Sequence, residues 1–517
     1  MSTRTQALHS TLHSSIGIYT EYLLGMVTAI LIARRLGPGL YGIYSSLIWF
    51  AAMGVVMANS GVTTGIIKFV AELRGRHEEG QIIPLLAYMR RVQRWHLLLV
   101  LGGGALLLLA VGYKLAFDLG LMESAMLAVA IGLRAPYMFN IAIAKGFEAF
   151  DATAVVAMVA APINLAMVAL VFLLHASIDW FLLVYMVSSV VFYLVSSARA
   201  RRLLRGMPAP QDLPEALRAR ARRHLRIVSP TVIIGFFISS GVEILFLNQF
   251  ATAAEAGYFK VAYQLATSII LLVPGVFSAV LLPMMARALS QGPEAGGRRF
   301  VAATRYLTLL AAPVAAFCAC FAGPAIGFLF GSAYAAAAPA FALIVMATAV
   351  STVTQGASSF LVSADRQHLI LMLMIIFGIL KILLDVALIM AFGLNGAIMA
   401  VIVVTLLNSI AYLVIAMRVA TVTMEWGRLL GIMLATVVAV AASAPLLAAG
   451  MPHLWTLLAG GIALGVVYLP MTLLFRCWNR DDILQLQGLH RKLLRGRPRA
   501  LGWMLARAQR HAAQGAP

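Results

Sequence analysis

Apolar runs of about 20 residues follow one another along nearly the whole of this 517-residue chain, separated by short polar or basic stretches. About 20 apolar residues is the length a helix needs to cross the hydrocarbon of a bilayer. A barrel would show short alternating strands, and only helices close all their backbone hydrogen bonds within one segment in lipid. With 62% hydrophobic and 11% charged residues, the chain reads as an all-α integral membrane protein. The runs predict about fourteen transmembrane helices: six between about residues 15 and 198, six between about 228 and 418, and a final pair between about 428 and 475. The first run, near Ser15, has no small-residue cleavage pattern and is expected to remain as a span.

The formal net charge of +20 does not point to nucleic acid, because the basic residues collect between spans. Lys68, Arg74, Arg76, Arg90, Arg91 and Arg94 crowd the second connection, and a run of arginines from Arg199 to Arg226 fills the sixth. Arg287, Arg298 and Arg299 occupy the eighth, and Arg476 to Arg499 the tail. All are even-numbered, so the positive-inside rule places them and both termini in the cytoplasm, facing anionic lipid headgroups. Five segments follow: a first lobe over 1–198, a basic linker over 199–227, a second lobe over 228–420, a helix pair over 421–475 and a basic amphipathic tail over 476–517. Cys318, Cys320 and Cys477 suggest neither a disulfide nor a metal site.

The turn Arg34-Arg35-Leu36-Gly37-Pro38-Gly39-Leu40-Tyr41-Gly42-Ile43-Tyr44 joins the first two spans, and Ala254-Glu255-Ala256-Gly257-Tyr258-Phe259 is a weaker copy. Setting Gly42 on Gly257 aligns the two halves at an offset of about 215 residues, as in transporters built from repeats. The two six-helix lobes are therefore expected to be pseudo-symmetric.

An ionisable side chain inside a span costs at least a few kcal/mol, so each needs a partner, a wet cavity or a job. Arg134 falls near the middle of the fourth span, and steps of three and four put it on one stripe with Tyr137, Ile141, Lys145 and Glu148. It is expected to line a cavity, or else to pair with Glu21 of the first span. Glu21 itself reads equally as a cavity group or as a snorkelling one. Glu243 and Lys260 lie at similar depth on consecutive helices, where they either line the cavity or neutralise each other. Lys381 and Asp385, four apart, are expected to form a structural pair, whereas Asp365 and Arg366 are expected to be solvated. Pro274 in the long eighth span is the candidate hinge, the alternative being a static bend.

No Walker loop, metal-ligand cluster or nucleophile triad occurs, and the loops on the side opposite the arginines are too short for a catalytic domain. No enzymatic activity and no cofactor are expected, beyond a proton or sodium ion as a coupling ion.

The two lobes with an added pair, together with Leu36-Gly37-Pro38-Gly39-Leu40-Tyr41-Gly42, resemble the polysaccharide-transporter branch of the multidrug/oligosaccharidyl-lipid/polysaccharide exporter superfamily. Asn59-Ser60-Gly61-Val62-Thr63-Thr64-Gly65 with Lys68-Phe69-Val70-Ala71-Glu72 is similar to the end of that family's second helix. Gly257-Tyr258-Phe259-Lys260-Val261-Ala262-Tyr263 through Leu282-Pro283 is similar to its eighth, and Phe392-Gly393-Leu394-Asn395-Gly396-Ala397 to the turn before its twelfth. The resemblance implies a bacterial inner-membrane flippase that carries polyprenyl-diphosphate-linked oligosaccharide, an O-antigen or exopolysaccharide repeat unit, through a cavity between lobes. It implies that Arg134, Lys145 and Lys260 meet the diphosphate and that the partners are the lipid-linked glycan and, beyond it, a polymerase or export machinery. Peptidoglycan-precursor flippases carry several cavity arginines, which this chain lacks. A cation-coupled drug antiporter of the same fold would rely on Glu21, the sole acid of the first span. A membrane-embedded polymerase or glycosyltransferase is disfavoured by the short loops.

Overall fold

The computed structural model describes the backbone of residues 3–111, 120–209, 211–239, 241–479, 482–484 and 487. Side chains are described for these except at 3–19, 21, 110–111, 150, 239 and 271–280. Every regular element among them is helical. In chain order these are α1 (Thr3–Asn59), α2 (Val62–Gly75), α3 (Ile82–Val111), α4 (Leu121–Gly146), α5 (Phe150–Leu173), α6 (Ile178–Leu204), α7 (Glu215–Ser239), α8 (Glu243–Phe250), α9 (Ala253–Ser290), α10 (Pro293–Cys320), α11 (Ala322–Phe330), α12 (Ala337–Val353), α13 (Gln355–Ser363), α14 (Gln367–Ala420), α15 (Trp426–Ser443) and α16 (His453–Leu474), with short 3₁₀ turns between some of them.

Ten described helices are long and apolar enough to cross a membrane, or eleven if the bent pair α7–α8 is one span. The fourteen expected spans are not all separate elements, and the reason is local. At Gly37 the chain adopts φ 70° and ψ 172° within α1, and at Gly393 it adopts φ 54° and ψ −129° within α14. Both are left-handed φ values open to glycine and strained for other residues. Helix resumes at once on either side, so α1 and α14 each cover two of the expected spans.

The chain divides into two compact units, Met1–Lys260 and Val261–Pro517, with the division inside α9. In the first unit α1 packs along α5 and α4 along α6. Lipid is as apolar as leucine, so close packing of small residues and helix-to-helix hydrogen bonds hold such helices together. Accordingly α1 buries Ala33, Ala51 and Ala58, and α5 buries Ala154, Ala157 and Ala160. Polar clamps cross the same unit. Gln93 of α3 donates to Asn59 Oδ1 at 2.7 Å and to the Ala135 carbonyl at 2.8 Å. Asn140 of α4 donates to Ser196 and Ser197 of α6 at 3.2 and 2.9 Å, and accepts from Arg90 at 3.3 Å. Each such bond contributes about 0.6–2 kcal/mol in a bilayer. Phe69, Ile66, Leu85, Met89, Phe139 and Ile143 form the apolar core where α2, α3 and α4 meet.

The two repeated turns also meet within this unit. A Cβ at Gly42 would lie 1.9 Å from the Ala253 carbonyl oxygen and 3.0 Å from the Gly257 nitrogen, and a Cβ at Gly257 would lie 2.0 Å from the Pro38 carbonyl oxygen. Only glycine permits backbones to approach that closely. Asn248 of α8 secures the contact by donating to the Gly42 carbonyl at 3.1 Å and to Ser46 Oγ at 2.7 Å.

In the second unit α10 packs on α12 and α15, and α15 on α16. Leu281, Met285, Phe300, Leu307, Phe360 and Ala416 form its core. Lys381 and Asp385 are buried together, Nζ to Oδ2 at 2.7 Å, as their four-residue spacing predicts. A second buried cation, Arg305 of α10, is 2% exposed. It reaches Glu425 Oε2 at 3.1 Å and Asp482 Oδ2 at 3.0 Å, while Tyr306 also donates to Asp482. Arg428 pairs with Glu425 at 2.8 Å. This cluster ties the segment beyond α16 to α10 and to the start of α15.

Candidate functional site

Arg134 is the centre of the candidate site in the first unit. It sits half-buried on α4, facing α6. Its Nε donates to Ser189 Oγ at 3.0 Å, and one Nη donates to Ser188 Oγ at 3.4 Å. The guanidinium lies 4.3 Å from the centre of the Tyr185 ring and 5.3 Å from that of Phe192. Ser188 and Ser189 spend their own protons on the Tyr185 carbonyl, at 2.9 and 2.7 Å, which leaves their lone pairs to Arg134. An aromatic face and two hydroxyls orient the cation without neutralising it. No described carboxylate lies within ion-pair distance of it. Of the five N–H donors in a guanidinium, two have acceptors here. The others suit a bidentate oxyanion.

The stripe that carries Arg134 divides along its length. Tyr137 meets Phe192 edge to face at 5.1 Å, and with Ile141 it packs on Val156, Ala160 and Phe192. Lys145, about three turns beyond Arg134, is exposed in the last turn of α4, and Glu148 follows it beyond the helix end at φ 58°. Arg134, Tyr137 and Ile141 are thus gathered at one patch of α6, with Lys145 apart from them.

Glu243 is fully buried in the first turn of α8, five residues before the Asn248 clamp. Lys260 is half-buried on α9 and makes no ion pair among the described residues. Glu21 lies in α1 and Pro274 in α9, but the side chains of both fall outside the described residues, and so does a pairing of Glu21 with Arg134. Among the described residues no group of three or more His, Cys, Asp or Glu could hold a metal. The three cysteines are free.

Sequence reasoning singled out Arg134 and missed its partners. Ser188, Ser189 and Tyr185 lie 54, 55 and 51 residues on, and hydroxyls in an apolar run carry no signal of their own. One was available: Ser188-Ser189 and Ser196-Ser197 are paired hydroxyls about two helical turns apart on α6, a polar seam in an otherwise apolar helix.

Comparison with known proteins follows the same lines. Residues 7–289, more than half of the chain, match the family model described as polysaccharide biosynthesis protein. No curated protein matches at a significant level. Among solved structures the chain is similar to the lipid II flippase MurJ in an inward closed conformation, at TM-score 0.69 and 12% identity, covering 89% of this chain and 98% of that one. It is also similar to an inward-facing multidrug resistance MATE family transporter of the MOP superfamily, at TM-score 0.65 and 14% identity, covering 80% and 98%. A MOP superfamily transporter from Pyrococcus furiosus follows at TM-score 0.55 and 14% identity, covering 80% and 96%. At these identities the likeness speaks for the fold, which is that of MOP superfamily transporters. Given the match over residues 7–289 and the all-helical membrane fold, the chain belongs to the polysaccharide biosynthesis protein family.

Proposed function

We propose that the protein is a flippase that carries polyprenyl-diphosphate-linked oligosaccharide, an O-antigen or exopolysaccharide repeat unit, from the inner to the outer leaflet of a bacterial cytoplasmic membrane. The observation that carries this reading is Arg134. A cation held in an apolar helix bundle by hydroxyls and a ring, with no described counter-charge, is costly unless an anion meets it during the working cycle. A diphosphate supplies that anion in the forked geometry a guanidinium prefers. Membership of a polysaccharide biosynthesis family supports the glycan as the other half of the substrate.

In this mechanism the diphosphate enters from the basic side and Arg134 takes its charge while the polyprenyl chain stays in lipid. Lys145 and Lys260 act on the approach, with Glu21 and Glu243 as the balancing acids, and Pro274 is the hinge as the lobes rock about the 199–227 linker. A proton or sodium ion is the candidate driving ion.

Deleting the gene is expected to trap polyprenyl-diphosphate oligosaccharide in the inner leaflet and to remove surface glycan, as read by lipid extraction and glycan staining. Unchanged lipids together with a new sensitivity to cationic drugs would instead make the protein an antiporter. Complementation with Arg134→Ala tests the site: protein at normal level without surface glycan supports it, and normal glycan rejects it.

A further inference from the structure

A cavity of about 640 Å³ lies in the second unit, between the last turns of α9 and the first turns of α10. Two helical stripes build it. Met284, Arg287, Ala288 and Gln291 line it from the α9 side, and Ala295, Arg298, Arg299 and Ala302 line it from α10. Steps of three and four residues keep each set on one face. Gly292 joins the helices at φ 125°, and Pro293 starts α10 directly after it, so the elbow has little freedom. Met285 and Phe300, both fully buried, fix the helices from below.

The charges on this cavity are poorly answered. Glu294 pairs with Arg298 at 3.4 Å, with both side chains largely exposed, a contact that contributes about 0–1 kcal/mol. Arg299 rests an Nη on the Met284 sulfur at 2.8 Å, and a thioether is a weak acceptor. Arg287 makes no ion pair among the described residues. Three guanidiniums therefore share one exposed carboxylate, beside an apolar wall of Pro283, Met284, Ala288 and Ala302. The cavity opens where the apolar stretch of α9 gives way to basic chain.

We propose that this cavity binds the phosphate headgroup of a membrane lipid. Phosphate oxygens take the forked donors of Arg287, Arg298 and Arg299, and the hydrocarbon next to the headgroup lies on the apolar wall. A soluble phosphate would have no use for that wall. The site shares no residue with the Arg134 cradle, and its test reads binding, so it stands or falls separately from the flippase reading.

The test is native mass spectrometry of the full chain in detergent, titrated with phosphatidylglycerol, with a polyprenyl diphosphate and with inorganic pyrophosphate. The triple variant Arg287→Ala, Arg298→Ala, Arg299→Ala is expected to bind the lipids at least about tenfold more weakly, the effect of losing one charged hydrogen bond or more. Ala302→Trp, which fills the cavity and leaves its charges, is expected to do the same at an unchanged melting temperature. Tighter binding of the polyprenyl diphosphate than of phosphatidylglycerol identifies a diphosphate lipid as occupant, and equal binding identifies bulk anionic lipid. A change below twofold for both lipids in both variants overturns the site, as does binding of pyrophosphate alone.

Discussion

Two arginines inside the helix bundles are held in opposite ways. In the second unit, Arg305 meets Glu425 and Asp482 at 3.1 and 3.0 Å, so its charge is answered twice. In the first, Arg134 has two serine hydroxyls and the faces of Tyr185 and Phe192. A buried cation between carboxylates is a strut, because removing it strands charges of the other sign. A cation held by neutral groups keeps its field available to a visitor. Arg305 is the more deeply buried of the two, but it is the charge of the partners that sets their roles apart.

Substitutions at the two arginines should bring this out. Arg305→Ala is expected to have the largest effect, about 3–5 kcal/mol of lost stability, the usual result of stranding one side of a buried ion pair. Thermal melting of the purified protein and its yield would register it, and an unchanged melt would remove the strut from the comparison. Lys381→Ala alone should cost about 3 kcal/mol by the same logic, since it leaves Asp385 charged and buried. Adding Asp385→Ala should return most of that loss, and a double variant no better than the single would show that the pair is not self-contained.

Arg134→Ala is expected to change the melting free energy by about 1 kcal/mol or less, because the lost ring and hydroxyl contacts are offset by removing an unanswered charge. Glycan export should fall nonetheless. A large loss of stability there would make Arg134 a second strut. The smallest effect belongs to the surface pair Glu72–Arg220, 2.8 Å apart. Its hydrogen bond to Arg220 holds the Glu72 carboxyl below its ordinary range. A lowered folded-state pKa stabilises above the unfolded value of about 4.5 and is lost as pH falls through the folded value. Glu72→Gln should therefore cost about 0–1 kcal/mol at pH 7 and progressively less as the pH falls below the ordinary carboxylate range, as melting curves across that range would reveal.

Local features were the legible ones. The Gly37-Pro38 turn and the Gly393 turn could be marked from glycine and proline alone, and the Lys381–Asp385 pair from its spacing. Both turns are kinks with non-helical backbone at the glycine, so α1 and α14 each join two helices at the break that the sequence marks. The partners of Arg134 were hidden for a different reason: they come from another helix and are serines, whose role depends on what faces them. Arg305 was passed over because it follows Arg298 and Arg299 in a basic stretch, while its carboxylates lie 120 and 177 residues later. The cavity between α9 and α10 was written in the three- and four-residue steps of its arginines, but those residues had been assigned to topology.

The meeting of the two glycine turns obeys a rule of reciprocity. Residue 42 crowds residue 253, and residue 257 crowds residue 38; each member of one pair is the 215-residue counterpart of a member of the other. That is the signature of a two-fold axis, the arrangement by which identical subunits join in a dimer, here contained in a single chain. Its consequence is evolutionary. A side chain gained at either glycine has no matching hollow on the far side, because the far side is its own image, so the two positions are bound to remain glycine together.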